Sequence, residues 1–454
     1  MERISEFVKS RAADWLHDLG EFLAIPSVSA PFCYDDKNVA RAADWLVNHF
    51  KKIGFNSELI CGEYTPMVYA EWLSPANKFT LLIYCHYDVQ PVEPLELWKS
   101  PPFEMAIRDG KIFARGVSDS KGHLFAYIKG IESILKIKGK LPVNVKFIID
   151  GDEEAVELAL PELLKNNPEK LEADAVFVGA GAMIDANTPS ICYAVRGLLS
   201  VEIQVETLRT NLHSGSFGGG VFNAAEYLAK IIAGIRNEQG KITIPGFYGD
   251  VAPVAPEEKK ILSSIFASEE EFLRICGSNK IFGEAGFSVH ELITARPTFE
   301  VNGIRGGDIG GGFQFIVPAK ASAKISFRLV PNQCPGTIYQ QLEKYISQYA
   351  NEAAKVTLKK VDSAEPAIMN RKSFVAKKAA EGLKEVFGAE VKWFREGGAV
   401  PVVYDFQKLG KNVIMVGFGL PDDAIHAPNE KLDLSNFYKE IEFSARFMEK
   451  LAEK

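Results

Sequence analysis

Near the start of the chain, apolar positions recur every three or four residues: Ile4, Phe7, Val8, Trp15, Leu16, Leu19, Phe22 and Leu23. That spacing predicts an amphipathic helix, which Pro26 brings to an end. A second helix is expected over about 40–53, on Ala43, Leu46, Phe50 and Ile53, with Gly54 after it. Short β-rich runs then alternate with helical ones: strands near 67–72, 79–84, 143–149 and 175–178, and helices near 122–137 and 158–164. The run Phe79-Thr80-Leu81-Leu82-Ile83-Tyr84 is apolar on both faces, as expected of a strand covered on both sides in an α/β sheet.

Between about 199 and 362 the order changes to strand 199–205, helix 223–235, strand near 298–301, strand 321–329, helix 337–349 and strand 355–360. This β-α-β-β-α-β succession is that of a ferredoxin-like α+β sandwich with an insertion around 240–296. The α/β pattern then resumes with a helix near 373–387, a strand over 412–416 and a closing helix over 434–451. The expected organisation is one discontinuous α/β domain, 1–198 and 363–454, with a second domain, 199–362, inserted into it.

Composition narrows the function classes. The 454 residues are 47% hydrophobic and 24% charged, enough to fold throughout. The net charge of −7 and the lack of any basic run argue against nucleic acid as a partner. Acids in the opening Met1-Glu2-Arg3-Ile4-Ser5-Glu6 do not fit a signal peptide, and no stretch has the apolar length of a membrane span, so a soluble, cytoplasmic protein is expected. Cys33, Cys61, Cys85, Cys192, Cys276 and Cys334 form no CxxC pair, and most are expected to be buried free thiols.

Four polar clusters follow apolar strands or strand-like runs: His86-Tyr87-Asp88, Asp119, Asp152-Glu153-Glu154 and His426. The carboxyl ends of strands in an open α/β sheet converge on one crevice, so the clusters could meet there. Two imidazoles and several carboxylates together suit a borderline cation such as zinc. Each cluster also has a plainer reading. Asp119 could cap the following helix, Glu153-Glu154 could complement a helix dipole, and His426 before Ala427-Pro428 could be a turn residue.

Seven strings in order along the chain carry a resemblance: HYDVQP (86–91), ARGVSDSKG (114–122), DGDEE (150–154), LHSGSFGG (212–219), SFRLVP (326–331), REGGAVP (395–401) and GFGLPDDAIHAPNE (417–430). Together they resemble the successive motifs of the dinuclear metallopeptidases related to carnosine dipeptidase, glutamate carboxypeptidase and aminoacylase. The resemblance implies a catalytic domain with a mostly parallel sheet, an inserted lid domain that mediates homodimerisation, and zinc, with manganese in some members. It implies Asp119 as the carboxylate bridging two ions, His86 on one ion, and Glu154 and His426 on the other. Asp88 would orient His86, and Glu153 would be the general base. His213 would reach the partner subunit's site and stabilise the oxyanion, Arg328 would pair with the substrate carboxylate, and Gly397 and Gly398 would bring backbone close to it.

The chain departs from the pattern at several of these positions. The remaining metal-ligand acid should lie about nine residues before Pro189, where the sequence has Ala180. The His86-side ion is therefore expected to be weakly held or missing unless Asp185 or another acid takes the place. The family's Gly-Ser after its glutamates reads Val156-Glu157, its threonine near the substrate reads Phe315, and its serine after the double glycine reads Ala399. The expected activity is metal-dependent hydrolysis of an amide next to a free carboxylate in a dipeptide-like substrate or N-acyl amino acid. The competing expectation is a catalytically impaired relative that binds a small carboxylate or serves as a dimeric non-enzymatic protein.

Overall fold

Parallel strands need crossover helices, and the alternation of apolar strands with amphipathic helices provides them. The computed structural model describes residues 2–29, 36–60, 65–155, 159–263 and 268–453. Its chain divides into two compact units, Met1–Tyr193 with Met369–Trp393 and Asp405–Lys454, and Ala194–Ile368 with Phe394–Tyr404.

In the first unit the strands lie in the order Asn56–Ile60, Met67–Trp72, Asn144–Asp150, Thr80–His86, Ala175–Val178, Asn412–Met415 and Ser190–Val195. The four from Asn144–Asp150 to Asn412–Met415 are parallel, and the outer pairings are antiparallel. Leu81, Ile83, Val145, Phe147 and Phe177 on these strands are all but inaccessible to solvent, which is why the strands read as continuous apolar runs. Helices Glu2–Leu23, Lys121–Lys138, Phe374–Phe387 and Leu434–Ala452 share their core. The helices Lys121–Lys138 and Leu434–Ala452 approach closely at Gly130, where a Cβ would lie 2.4 Å from the Ser444 Cβ and 2.6 Å from the Ile441 carbonyl oxygen. Any side chain there forces them apart. Lys121–Lys138 ends on Gly139 at φ 72°, whose N–H donates to the Leu135 carbonyl.

The second unit contains the antiparallel sheet Thr298–Gly306, Lys320–Leu329, Gly197–Glu206, Lys355–Ala364, with helices Ala224–Ile235 and Pro335–Ser347 packed on it. That order is the ferredoxin-like one. The strand expected over 298–301 continues to Gly306 at the edge of the sheet. Beyond Val301 its residues pair with Lys320–Leu329 after a register shift while remaining largely exposed, so apolar alternation does not mark them.

Of the cysteines expected to be mostly buried, the four described ones divide evenly. Cys85 and Cys192 are buried and free, whereas Cys276 and Cys334 are free but exposed, since they lie at the end of a surface helix and just before another. Cys33 and Cys61 lie outside the described residues. No helix among the described residues is long and apolar enough to cross a membrane.

Buried His49 stacks on Trp45, with ring centroids 4.7 Å apart, and its Nε2 faces the Lys129 ammonium at 3.1 Å. Burial, helped by Lys129, lowers its pKa to about 3. The unfolded chain protonates this imidazole near its ordinary pKa of 6.5, the folded chain only near 3. The stability owed to neutral His49 is therefore complete above pH 6.5 and is lost as pH falls toward 3. His49→Gln should flatten the fall in unfolding free energy across that window by up to about 1.4 kcal/mol per pH unit. Urea unfolding at a series of pH values checks it; an unchanged slope contradicts the assignment.

Candidate metal centre

The parallel ladder brings distant residues to one end of the sheet. Thr80–His86 pairs in register with Asn144–Asp150, so His86 lies opposite Asp150, and the turn that follows carries Asp152, Glu153 and Glu154 to the same edge. His86 is buried, with Nε2 3.1 Å from Asp119 Oδ1 and Nδ1 3.3 Å from Asp88 Oδ1. Asp88, also buried, accepts hydrogen bonds at Oδ2 from the Ser29 hydroxyl and from the Glu154 amide, the latter at 2.9 Å. Its backbone carbonyl lies 3.2 Å from His86 Nδ1, so Asp88 braces both His86 and the Glu154 turn.

Asp119 precedes the helix Lys121–Lys138, but Ser120 occupies the cap position and the Asp119 carboxylate turns to the two histidines. Its Oδ2 is 3.0 Å from His426 Nε2, and the same nitrogen lies 3.2 Å from Glu154 Oε2. Gln90 donates to that Glu154 oxygen at 2.8 Å. Oε1 of Glu154 is buried with no hydrogen-bond partner among the described residues. Asp119, Glu154 and His426 each offer a ligand atom within 4.8 Å of the others' atoms, and they are the one such cluster of three His, Cys or acidic groups among the described residues. Two carboxylates, one imidazole and a buried oxygen without a hydrogen-bond partner fit a divalent transition metal.

His426 itself is exposed and sits at φ 61°, in a loop where Ala424 and Asn429 also have positive φ. Tertiary bonds hold that backbone. The Asp423 carboxylate accepts from the Ser118 hydroxyl and the Leu420 amide, each at 2.7 Å, and pairs with Lys431.

The electrostatics follow from burial and pairing. Hydrogen bonds to Asp119 and then Glu154 raise the His426 pKa to about 10. Burial opposes ionisation of Asp119, yet hydrogen bonds from His426 and His86 hold its carboxyl well below the usual range. Burial works against protonation of His86, and Glu153, Asp119 and Asp88 outweigh it, so its pKa rises well above normal. Glu153 is pushed up to about 7 by burial, with His86 opposing and Glu154 and Asp119 adding to the rise. Of the two adjacent glutamates, Glu154 joins the donor cluster and Glu153 stays outside it.

Ala180 lies just past the strand Ala175–Val178 and brings no ligand. Asp185 is exposed and already engaged. Its Oδ1 accepts from the Asn187 and Thr188 amides at 2.8 and 2.9 Å, and its Oδ2 from the Thr188 hydroxyl at 2.7 Å. Val156 and Glu157 lie outside the described residues.

The remaining expected residues belong to the second unit. His213 Nδ1 caps the short helix Ser214–Phe217 by accepting the Gly215 N–H at 3.1 Å, which leaves the ring proton on Nε2. Arg328 lies on the strand Lys320–Leu329 and faces Arg196 closely enough to help lower the latter's pKa, already depressed by burial, to about 10. Arg196 was not expected. Its Nε donates to the Gly397 carbonyl at 2.7 Å, and its amide donates to the Gly398 carbonyl at 3.0 Å. The Gly397 and Gly398 amides point at the Glu396 carboxylate, at 2.7 and 3.2 Å. A Cβ on Gly397 would lie 2.7 Å from the Ile293 carbonyl oxygen, so only glycine fits.

Glu430 was also not singled out, and it organises the loop before Asp119. This buried carboxylate accepts the amides of Ser118 and Asp119 at Oε1, at 2.9 and 3.0 Å. Its Oε2 takes the Gly116 amide at 3.0 Å and Arg115 Nη1 at 2.7 Å. Glu430→Gln points an NH₂ group at these donors and should weaken zinc or manganese binding by roughly 10- to 100-fold, the usual cost of losing a residue that supports metal ligands. Glu430→Asp, which keeps the charge, should recover part of the affinity. Calorimetric titration on folded variants checks this; wild-type affinity in Glu430→Gln refutes it.

Residues 82–450 match Peptidase family M20/M25/M40. The Cys-Gly metallodipeptidase dug1 of Schizosaccharomyces pombe is 30% identical over 100% of this chain and 98% of its own. The human Beta-Ala-His dipeptidase is 28% identical over 86% of this chain and 78% of its own. Among solved structures, the M20 family metallo-carboxypeptidase Sso-CP2 from Sulfolobus solfataricus superposes with a TM-score of 0.84 at 33% identity, covering 96% of this chain and 99% of that one. By sequence over most of its length and by fold, this chain is a member of Peptidase family M20/M25/M40.

Proposed function

We propose that the protein is a metal-dependent dipeptidase that hydrolyses an amide next to a free carboxylate. The observation that carries this reading is the donor cluster Asp119, Glu154 and His426 with Glu153, at a pKa of about 7, in the adjoining position. Zinc is the proposed ion, with manganese as the substitute, held by those three residues. When bound, it would polarise the scissile carbonyl and make a water more acidic. Glu153 takes a proton onto its carboxylate from the attacking water and passes it to the leaving amine; a group whose pKa lies near neutrality suits both transfers. Asp88 and Gln90 keep the Glu154 turn and its carboxylate in place during the cycle.

In the first unit, then, we place the catalytic domain, and in the second a lid that forms a homodimer. Arg328 and the amides of Gly397 and Gly398 bind the substrate carboxylate. The amides already accommodate one carboxylate, that of Glu396, which supports such a role. His213, with its proton on Nε2, donates to the oxyanion in the partner subunit's site. The free thiols Cys85, Cys192, Cys276 and Cys334 suit the reducing cytoplasm, where we place the enzyme. Cys-Gly and β-alanyl-histidine, named by the relatives' activities, head the panel of dipeptides to be assayed with zinc and manganese supplied separately.

Two variants test the roles. Glu153→Gln keeps the size and removes the basicity, so turnover should fall by about 10² to 10⁴ with metal content unchanged. Survival of activity within a factor of a few makes Glu153 an ordinary turn residue. His213→Ala should lower turnover by about 10² to 10³. Mixing Glu153→Gln chains with His213→Ala chains creates heterodimers with one intact site, and part of the activity should return. Verified subunit exchange without recovery removes the role across the interface.

A further inference from the structure

The resemblance implies paired ions bridged by Asp119, but the residues on the His86 side do not fit a second one. Tyr84 pairs with Val178 in the parallel ladder, and the Gly179 amide extends it by donating to the Tyr84 carbonyl at 2.9 Å. Gly179 lies beside Cys85, where a Cβ on it would be 2.7 Å from the Cys85 sulfur. Continuing this register by one residue sets Ala180 beside His86. Paired residues of a parallel ladder share a face, so position 180 is where a ligand side chain would join His86 and Asp119. It carries a methyl group.

Among the described residues no third His, Cys or acidic ligand atom joins those of His86 and Asp119 in a cluster. Asp185, five residues on, has both oxygens committed to the Asn187 and Thr188 amides and the Thr188 hydroxyl. The one donor cluster of three among the described residues is Asp119, Glu154 and His426, and it omits His86. His86 and Asp119 alone would leave an ion two protein ligands, fewer than the three that catalytic zinc sites keep.

We infer that this protein holds one divalent ion per chain, on Asp119, Glu154 and His426, and that the loss of a ligand at Ala180 has removed the second. His86 then serves as a positioning residue. Its Nε2 holds Asp119 Oδ1, leaving Oδ2 on the side of Glu154 and His426, and Asp88 fixes the ring from behind.

The inference rests on the metal reading proposed above, and its test counts ions without measuring turnover. The chain is stripped with chelator, reloaded with excess zinc or manganese, freed of loose ions by gel filtration, and analysed by plasma mass spectrometry. The expected ratio is one ion per chain, and manganese-loaded protein should give the paramagnetic resonance spectrum of isolated ions. Ala180→Asp, or Ala180→Glu should the first not fold, should raise the ratio to two and produce an exchange-coupled manganese spectrum. Asp185→Ala should leave the ratio at one. Two tightly held ions in the wild-type chain overturn the inference; if Asp185→Ala then lowers the ratio to one, Asp185 is the missing ligand. Folded Ala180 variants that stay at one ion overturn the role given to Ala180. No ion at all refutes the metal reading itself, whereas one ion with no dipeptide cleaved refutes only the proposed activity.

Discussion

The buried carboxylate of Glu430 sets the frame for the metal centre. A carboxylate taken out of water must be compensated in full, and Glu430 is compensated by three backbone amides and one guanidinium, all from residues 115–119. The compensation works in both directions. The amides of Gly116, Ser118 and Asp119 lie in a loop between a strand and a helix, where no secondary-structure ladder serves them. Burial raises the pKa of Glu430, Arg115 and the Gly116 and Ser118 amides oppose that rise, and the Asp119 charge adds to it. Because the Asp119 amide belongs to the set, the position of its carboxylate depends on a residue more than three hundred positions away in sequence.

What could be read from the sequence depended on whether a constraint leaves a periodic trace. The central strands were legible because burial on both faces makes them continuously apolar, and 175–178 matched the strand Ala175–Val178 to the residue. The edge strand through Gly306 was cut short because its outer residues obey backbone pairing alone. Glu430 leaves no trace of its own: a lone acid after Asn429 in a loop reads as solvated surface, and only the fold shows it buried. Arg196 had a signal, a charge between the apolar run 190–195 and the alternating strand 197–206, and such an interruption could have marked it. The Asp185-Ala186-Asn187-Thr188 turn was equally legible, since an Asp two and three residues before free amides is turn chemistry. For the site, the sequence named His86, Asp119, Glu154 and His426, but the distances among them come from the register of the ladder and the backbone of the loop that carries His426.

Asp88 explains how a ligand position could be lost without loss of the remainder. Its backbone carbonyl holds His86 at Nδ1, and its carboxylate takes the Glu154 amide and the Ser29 hydroxyl. From His86 the contacts run to Asp119, from Asp119 to His426, from His426 to Glu154, and back through the Glu154 amide to Asp88. The path closes on itself and does not pass through position 180. Each charged member has opposite charge or a hydrogen-bond donor on two sides, which keeps the carboxylates ionised; an acid at 180 would add a like charge and oppose this. A substitution within the ring would remove a partner from a charged neighbour. Replacing an acid at 180 by alanine removes a charge and leaves none of these unpaired. The fold therefore tolerates the exchange, and its consequence falls on the number of ions the site can hold.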